Sequence, residues 1–298
     1  MNSFKRVAYI SITAVLLLYL IVYSNEIVLS AQAGIQLCIH VVIPSLFPFI
    51  CIMSYICNQS SNIQATGSAL SKMIGIPPQT QYILASAFLG GYPIGAQSVA
   101  IAYKNKQISK ECAQRLLAFC NNAGPSFIFG LIGTMFTNKL APLALWIIHI
   151  FTALFIGTIL PGKEFENTKY LKRKTDTTTD ILKCAITSMS IICGWIILFR
   201  VVITAVSQML ITRLSITFEV LITGLLELSN GCAMLIHIGN EALRFIIASI
   251  MLSAGGICVL LQTKSVVGDI SLRKYLLGKA IQTALSLTIA IIVSSILY

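Results

Sequence analysis

The sequence predicts an all-α, polytopic helical membrane protein, and three observations carry that prediction. Of its 298 residues, 56% are apolar and only 10% are charged, against roughly 25% charged in soluble domains. Charge is absent from long runs: 45 residues between Glu26 and Lys72, 31 between Lys72 and Lys104, 23 after Arg115, 23 after Lys139, and 19 in each of 245–263 and 280–298. A membrane-crossing helix needs about 20 such residues. The polar and apolar alternation required of a membrane β-barrel strand is missing.

The elements follow in order, about eight to ten of them, in two related halves. Lys5-Arg6, a long apolar stretch and Ala31-Gln32-Ala33 imitate a secretory signal. The apolar stretch is too long for one, so residues 1–32 read as an uncleaved first span and a short external loop. Residues 33–162 form the first half. It opens with a span at 33–57, where Pro44 and Pro48 each remove a helical hydrogen bond and predict a kink or an unwound segment. A short surface helix is expected at 66–75, and then an element at 80–102 interrupted by Gly90-Gly91-Tyr92-Pro93-Ile94-Gly95. Two glycines, a proline and a third glycine cannot make an unbroken helix. A span at 113–137 carries Asn121-Asn122-Ala123-Gly124-Pro125-Ser126, and an uninterrupted one covers 141–161. The polar, basic segment 163–180 is a linker holding five of the 21 cations. Residues 181–298 form the second half, with spans at 181–211 and 214–231, a broken element at 244–263 containing Gly255-Gly256, and a last span at 275–298.

The formal charge of +11 lies in short clusters between apolar runs. It reads as a topology signal, not as a nucleic-acid surface, and no nucleic-acid partner is expected. The segment around 1–6, the turn at 104–115 and the linker at 163–183 hold most cations and are expected in the cytoplasm. With the loop at 58–79 also inside, element 80–102 must enter and leave on one face, as a re-entrant hairpin. That is tolerated when the hairpin is buried in protein or lines a polar cavity. The two halves share a pattern, since Gly90-Gly91 precedes Gln97, and Gly255-Gly256 precedes Gln262, at the same spacing. A basic turn follows each. Repeats with broken helices meeting at a midplane site are characteristic of secondary transporters. Lys264, Arg273 and Lys274 favour a cytoplasmic turn, which makes the halves parallel unless one span is miscounted.

Several runs also resemble a known family. LGGYPIGAQ (Leu89 to Gln97), RLLAFCNNAGPSFIFG (Arg115 to Gly130), ITGLLELSNG (Ile222 to Gly231) and SAGGICVLLQ (Ser253 to Gln262) are similar to the sporulation integral membrane protein YlbJ family. That family is one of the nucleoside-recognition, or Gate-domain, membrane proteins related to concentrative nucleoside transporters. The short middle linker and Ala254, where the family leads one to expect an aromatic residue, are departures. The resemblance implies a role in spore formation as a carrier of dipicolinate from mother cell toward forespore. It also implies a location in the cell membrane or the outer forespore membrane. A nucleoside or other small-metabolite carrier, and a non-transporting spore-envelope assembly protein, are the alternatives.

A doubly negative pyridine dicarboxylate at a midplane site needs donors in place of its hydration. Exposed half-helix N-termini supply backbone N–H groups and a partial positive charge. Gly90, Gly91, Gly255 and Gly256 allow close backbone approach. Gln97, Asn121, Asn122, Ser126 and Gln262 offer side-chain donors, and Tyr92 a stacking ring. Each of these polar groups has the alternative of bonding a neighbouring helix. Glu227, an acid within a span, is the expected ion-coupling group for a proton or Na⁺, with Asn230 beside it. Arg200 follows a 16-residue charge-free run and favours a snorkelling position. His40, His149 and His237 stand alone and read as polar helix contacts. The nine cysteines lie mostly in apolar segments without a CxxC pair, which suits buried packing and neither a disulfide framework nor a metal site. There is no HExxH, GxSxG or P-loop, so no enzyme activity and no cofactor are expected. The lipid bilayer is the remaining partner, and a homo-oligomer is compatible with the sequence.

Overall fold

The computed structural model describes Ala14 and residues 17–60, 69–160, 177–210 and 215–298. Most of the expected first span and nearly all of the linker at 163–180 lie outside these residues. The described chain is helical throughout, and five helices are long and apolar enough to cross a membrane: Ser24–Ile52, Ala141–Ile159, Thr178–Val206, Glu241–Val267 and Arg273–Leu297. Large apolar side chains point outward along them, Ile52, Phe151 and Ile292 each being more than half exposed. His149 and Thr152 face inward. In water that distribution would be inverted; facing lipid, it is the stable arrangement.

The first half starts with α1 (Ser24–Leu37), which passes through a π-helical turn (Cys38–Val42) into α2 (Ile43–Ser60). Two expectations are corrected here. Residues 24–32 are helix, not an external loop. Pro44 and Pro48 do not unwind the span, because a π turn just before Pro44 widens the helix where hydrogen bonds are lost. After α3 (Ala69–Ile74), a hairpin forms from α4 (Tyr82–Ala85), extended by a π turn to Gly90, and α5 (Ile94–Lys104). Gly91 at its tip has φ 77°, a left-handed value that favours glycine. Both legs return to one end of the bundle, where the Tyr82 hydroxyl donates to Gln107 Oε1 at 2.9 Å. The predicted re-entrant hairpin is present.

Next, α6 (Lys110–Leu117), capped by Ser109 Oγ accepting from Cys112 N, unwinds over 118–124 and resumes as α7 (Pro125–Gly130) with a 3₁₀ turn (Ile132–Met135). Gly124-Pro125 sets the restart, proline being well suited to the first helical position. The uninterrupted α8 (Ala141–Ile159) closes the half.

The second half repeats this order. A long helix, α9 (Thr178–Leu210), comes first. Then α10 (Ile216–Leu226) and α11 (Leu228–Met234) form a second hairpin broken at Glu227. The expected span at 214–231 is therefore not a span. Eleven residues rise only about 16 Å, half the hydrocarbon thickness. Its legs instead fold back so closely that a side chain at Gly231 would overlap the backbone of Gly224. The broken helix α12 (Glu241–Ala254) and α13 (Gly256–Val267) crosses next, with Gly255 and Gly256 at φ 75° and 78°. α14 (Arg273–Leu297) ends the chain.

The structural repeat is thus long helix, hairpin, broken helix, long helix. The shared glycine–glutamine spacing does not mark equivalent positions. Gly90-Gly91 belongs to a hairpin tip, whereas Gly255-Gly256 interrupts a through-going helix whose counterpart carries Asn121 to Gly124. Among the described residues, each half holds three through-going elements and one hairpin, an order that makes the second half inverted relative to the first. One end holds Ile74, Gln107, Leu160 and the basic turns. The opposite end joins Thr137 to Glu241 (2.8 Å) and Asn138 to the Leu297 carbonyl (3.3 Å). With the basic end inside, the first hairpin enters from the cytoplasm and the second from outside.

Cysteines introduced singly at Gly239 and Asp269, both exposed, in a background with the native cysteines replaced by serine, test this. A membrane-impermeant maleimide should label Gly239→Cys from outside and Asp269→Cys only from inside; labelling of both from one face would refute the inverted arrangement.

Candidate functional site

Four backbone interruptions meet in the middle of the bundle. The Gly91 tip lies against the unwound chain of the first broken helix, where an added Cβ on Gly91 would come 3.0 Å from Gly124 N. In the second half, Gly256 abuts the second hairpin, 2.8 Å separating its virtual Cβ from the Gly224 carbonyl oxygen. Between them is a cavity of about 40 Å³ lined by Gly91, Tyr92, Gly124, Glu227, Ser229 and Gln262, with Leu46, Ile192, Ile196, Phe127 and Val259 among its apolar walls. That volume holds several waters. The pocket lies between the opposed hairpin tips, partly open, with mostly apolar walls on which Glu227, Ser229 and Gln262 are polar groups.

The second hairpin brings the one acid. Glu227, 2% exposed, has extended backbone between α10 and α11 and caps the latter. Its Oε1 accepts from Ser229 N at 3.0 Å, and its Oε2 from Asn230 N at 2.6 Å and Asn230 Nδ2 at 2.7 Å. A carboxylate at a helix N-terminus is well placed, because the N–H groups that lack helical partners point at it. Asn230 Oδ1 in turn accepts from Arg200 Nη1 at 3.4 Å. Arg200 therefore does not snorkel outward. It turns toward the hairpin from a position where α9 packs closely on Gly34.

A second polar cluster backs the cavity behind Tyr92. Lys279, on α14 and 4% exposed, donates to Tyr92 Oη at 3.1 Å, Asn122 Oδ1 at 3.2 Å and Gln282 Oε1 at 2.9 Å. The ammonium also lies 5.1 Å from the Tyr92 ring centroid, a cation–π distance. Tyr92 donates to the Leu252 carbonyl at 3.1 Å, and Gln282 Nε2 reaches Asn122 Oδ1 and the His149 carbonyl. His149 Nε2 accepts from the unwound backbone at Ala123 N, 3.0 Å away. That bond makes Nε2 the unprotonated ring nitrogen.

The expected site residues divide accordingly. Gly91, Tyr92, Gln262 and Glu227 line the cavity, with Gly255 against the Tyr92 hydroxyl and Gly256 against the hairpin tip. Asn122 joins through Lys279, and Asn230 through Glu227. The others are placed elsewhere. Gln97 faces α9, bonded to Cys184 Sγ at 3.0 Å. Asn121 Nδ2 donates to Thr263 Oγ1 at 2.8 Å, which ties the first broken helix to α13. Gly90 packs on Ile94, and Ser126 is buried in the first turn of α7. Lys279, Gln282 and Ser229 carried no sequence signal of a site. Lys279 only borders the last charge-free run, and an isolated lysine there reads as a membrane-surface residue. Its spacing to Gln282, one helical turn on, was the available clue.

Over 150 residues, 49% of its length, the chain is 28% identical to the sporulation integral membrane protein YlbJ of Bacillus subtilis (strain 168). That bears out the resemblance drawn from the motifs. The matched segment spans 36% of that relative's length. No family model matches the chain, and no solved structure matches it.

The crossing of the first hairpin with the unwound segment is tested at Gly95, where a Cβ would overlap the Cys120 carbonyl and approach Ala87 Cα. Gly95→Ala should destabilise the protein by about 1–3 kcal/mol or more, read as a lower Tm in detergent. Gly194→Ala, where no atom lies within 4 Å of the added methyl, should leave it unchanged or slightly raised.

Proposed function

We propose that this protein is an integral membrane transporter of a small organic anion, dipicolinate being the substrate, acting in sporulation at the cell membrane or the outer forespore membrane. The observation that carries the reading is the convergence of two oppositely entering hairpin tips and two broken helices on one small cavity that holds a buried acid, Glu227. A structural scaffold has no need of four interrupted helices at mid-depth, because each break forfeits backbone hydrogen bonds that hydrocarbon cannot replace. A carrier does need them, as the breaks expose backbone donors to a ligand and are the places where the chain can rearrange. Sporulation enters through the relative named above, and dipicolinate through the family resemblance.

In this reading, the cavity of about 40 Å³ between the hairpin tips is where the ligand binds. Parting the hairpin tips at Gly91 and Glu227 admits the ligand from one side or the other. The ligand's ring stacks on Tyr92, and Gln262 and the Gly124 backbone face it. Glu227 carries the coupling proton or Na⁺. Bringing a dianion beside a buried carboxylate is unfavourable unless that carboxylate is neutralised, so ion and substrate binding are linked through one residue.

Purified protein in lipid vesicles should take up radiolabelled dipicolinate saturably. Glu227→Gln, which keeps a hydrogen-bonding cap but no charge, should lower that flux at least about tenfold. Saturable uridine uptake without dipicolinate uptake would make the protein a nucleoside carrier; no flux of either would favour the envelope-assembly role.

A second measurement separates coupling from binding. An imposed proton or Na⁺ gradient should accelerate dipicolinate entry by the wild type, whereas residual entry through Glu227→Gln should ignore the gradient. Equal stimulation of both proteins would remove Glu227 from coupling.

A further inference from the structure

We infer that Lys279 is the group that, as the ammonium, recognises a carboxylate of the ligand in the central cavity and thereby selects anions over neutral molecules of the same shape. This rests on the transport reading above and names the group that would give it its substrate class.

Lys279 sits within a membrane-crossing helix, 4% exposed, and all three of its recorded hydrogen-bond partners are neutral: a phenol and two amide oxygens. Among the described residues, no carboxylate lies within ion-pair distance of it. An unpaired ammonium held in this way is expensive by several kcal/mol. A neutral amide in its place would offer two N–H donors to these three acceptors, so the lysine adds to the bridge both a third donor and a charge.

Position gives that charge a use. Tyr92 both lines the cavity and accepts from the ammonium, so Lys279 stands directly behind one wall. Ala123 and Gly124, which follow Asn122, form the adjoining wall. A carboxylate entering beside Tyr92 needs only to displace one neutral acceptor to gain a charge-assisted hydrogen bond. The opposite wall holds Glu227, already committed to Ser229 and Asn230. The site is therefore polarised, with a cation behind the ring and an acid across from it. An anion orients with a carboxylate toward Lys279, and a neutral ligand gains nothing from it.

The test is equilibrium binding to purified protein in lipid nanodiscs of two planar ligands of one shape, pyridine-2,6-dicarboxylate and its neutral diamide. Lys279→Gln should weaken the dicarboxylate about 10- to 100-fold, the loss expected of one charge-assisted hydrogen bond, and leave the diamide within about threefold. Lys279→Arg should restore most of the dicarboxylate affinity. If Lys279→Gln does not fold, Gln282→Glu supplies a carboxylate to the ammonium in place and should weaken the dicarboxylate selectively in the same way. Wild-type affinity for the dicarboxylate in either variant, or equal loss of both ligands without rescue by arginine, overturns the inference and leaves the transport reading intact. Failure of the wild type to bind the dicarboxylate would instead overturn the transport reading on which it rests.

Discussion

The structure depends on one constraint: backbone groups freed by breaking a helix inside a bilayer must find partners within the protein. Four elements are broken at the same depth, and each freed group with a recorded partner is met by a neighbour. Glu227 takes the N–H groups of Ser229 and Asn230. His149 takes that of Ala123. Asn122 donates to the Phe119 carbonyl at 2.6 Å, and Tyr92 to that of Leu252. Residues that look in sequence like ligand donors are therefore also the partners of the broken backbone. A ligand that recruits them must exchange one set of hydrogen bonds for another.

The two ends of the bundle are held by comparable means. Arg115 spends its guanidinium on the carbonyls of Ile74, Gly75, Gly157 and Leu160 at the basic end. Arg244 does so on those of Met135, Ile236 and Ile238 at the other. Each arginine lies on the first leg of a broken helix and gathers the closing carbonyls of neighbouring elements, where orphaned acceptors collect. The planar fork of donors suits this better than lysine would. Between these fixed ends, the middle of the bundle has the fewest continuous helices.

Much of this was legible from residue types. The apolar runs, the Gly90 to Gly95 interruption and the pairing of Glu227 with Asn230 follow from local chemistry: hydrophobic length, backbone freedom and the cost of a buried acid. The second hairpin was not legible. Ile216 to Gly231 is as apolar as a span, and only the close packing of Gly224 on Gly231 shows it folding back. With that hairpin missed, equal spacing of Gly-Gly and Gln suggested the wrong equivalence, and the halves read as parallel.

Sequence by itself determined the membrane class, the helical content and the two glycine-rich breaks at 90–95 and 255–256, because each depends on composition within one segment. Tertiary structure alone decided which broken elements face one another, that Gln97 and Asn121 serve helix contacts while Gln262 lines the cavity, and that Lys279 meets Tyr92 and Asn122. Those outcomes depend on pairs of residues far apart in the chain, such as Tyr92 with Lys279 and Asn121 with Thr263. Apolar length can say that a helix crosses lipid, but which side chains share its interior is set by how neighbouring helices pack.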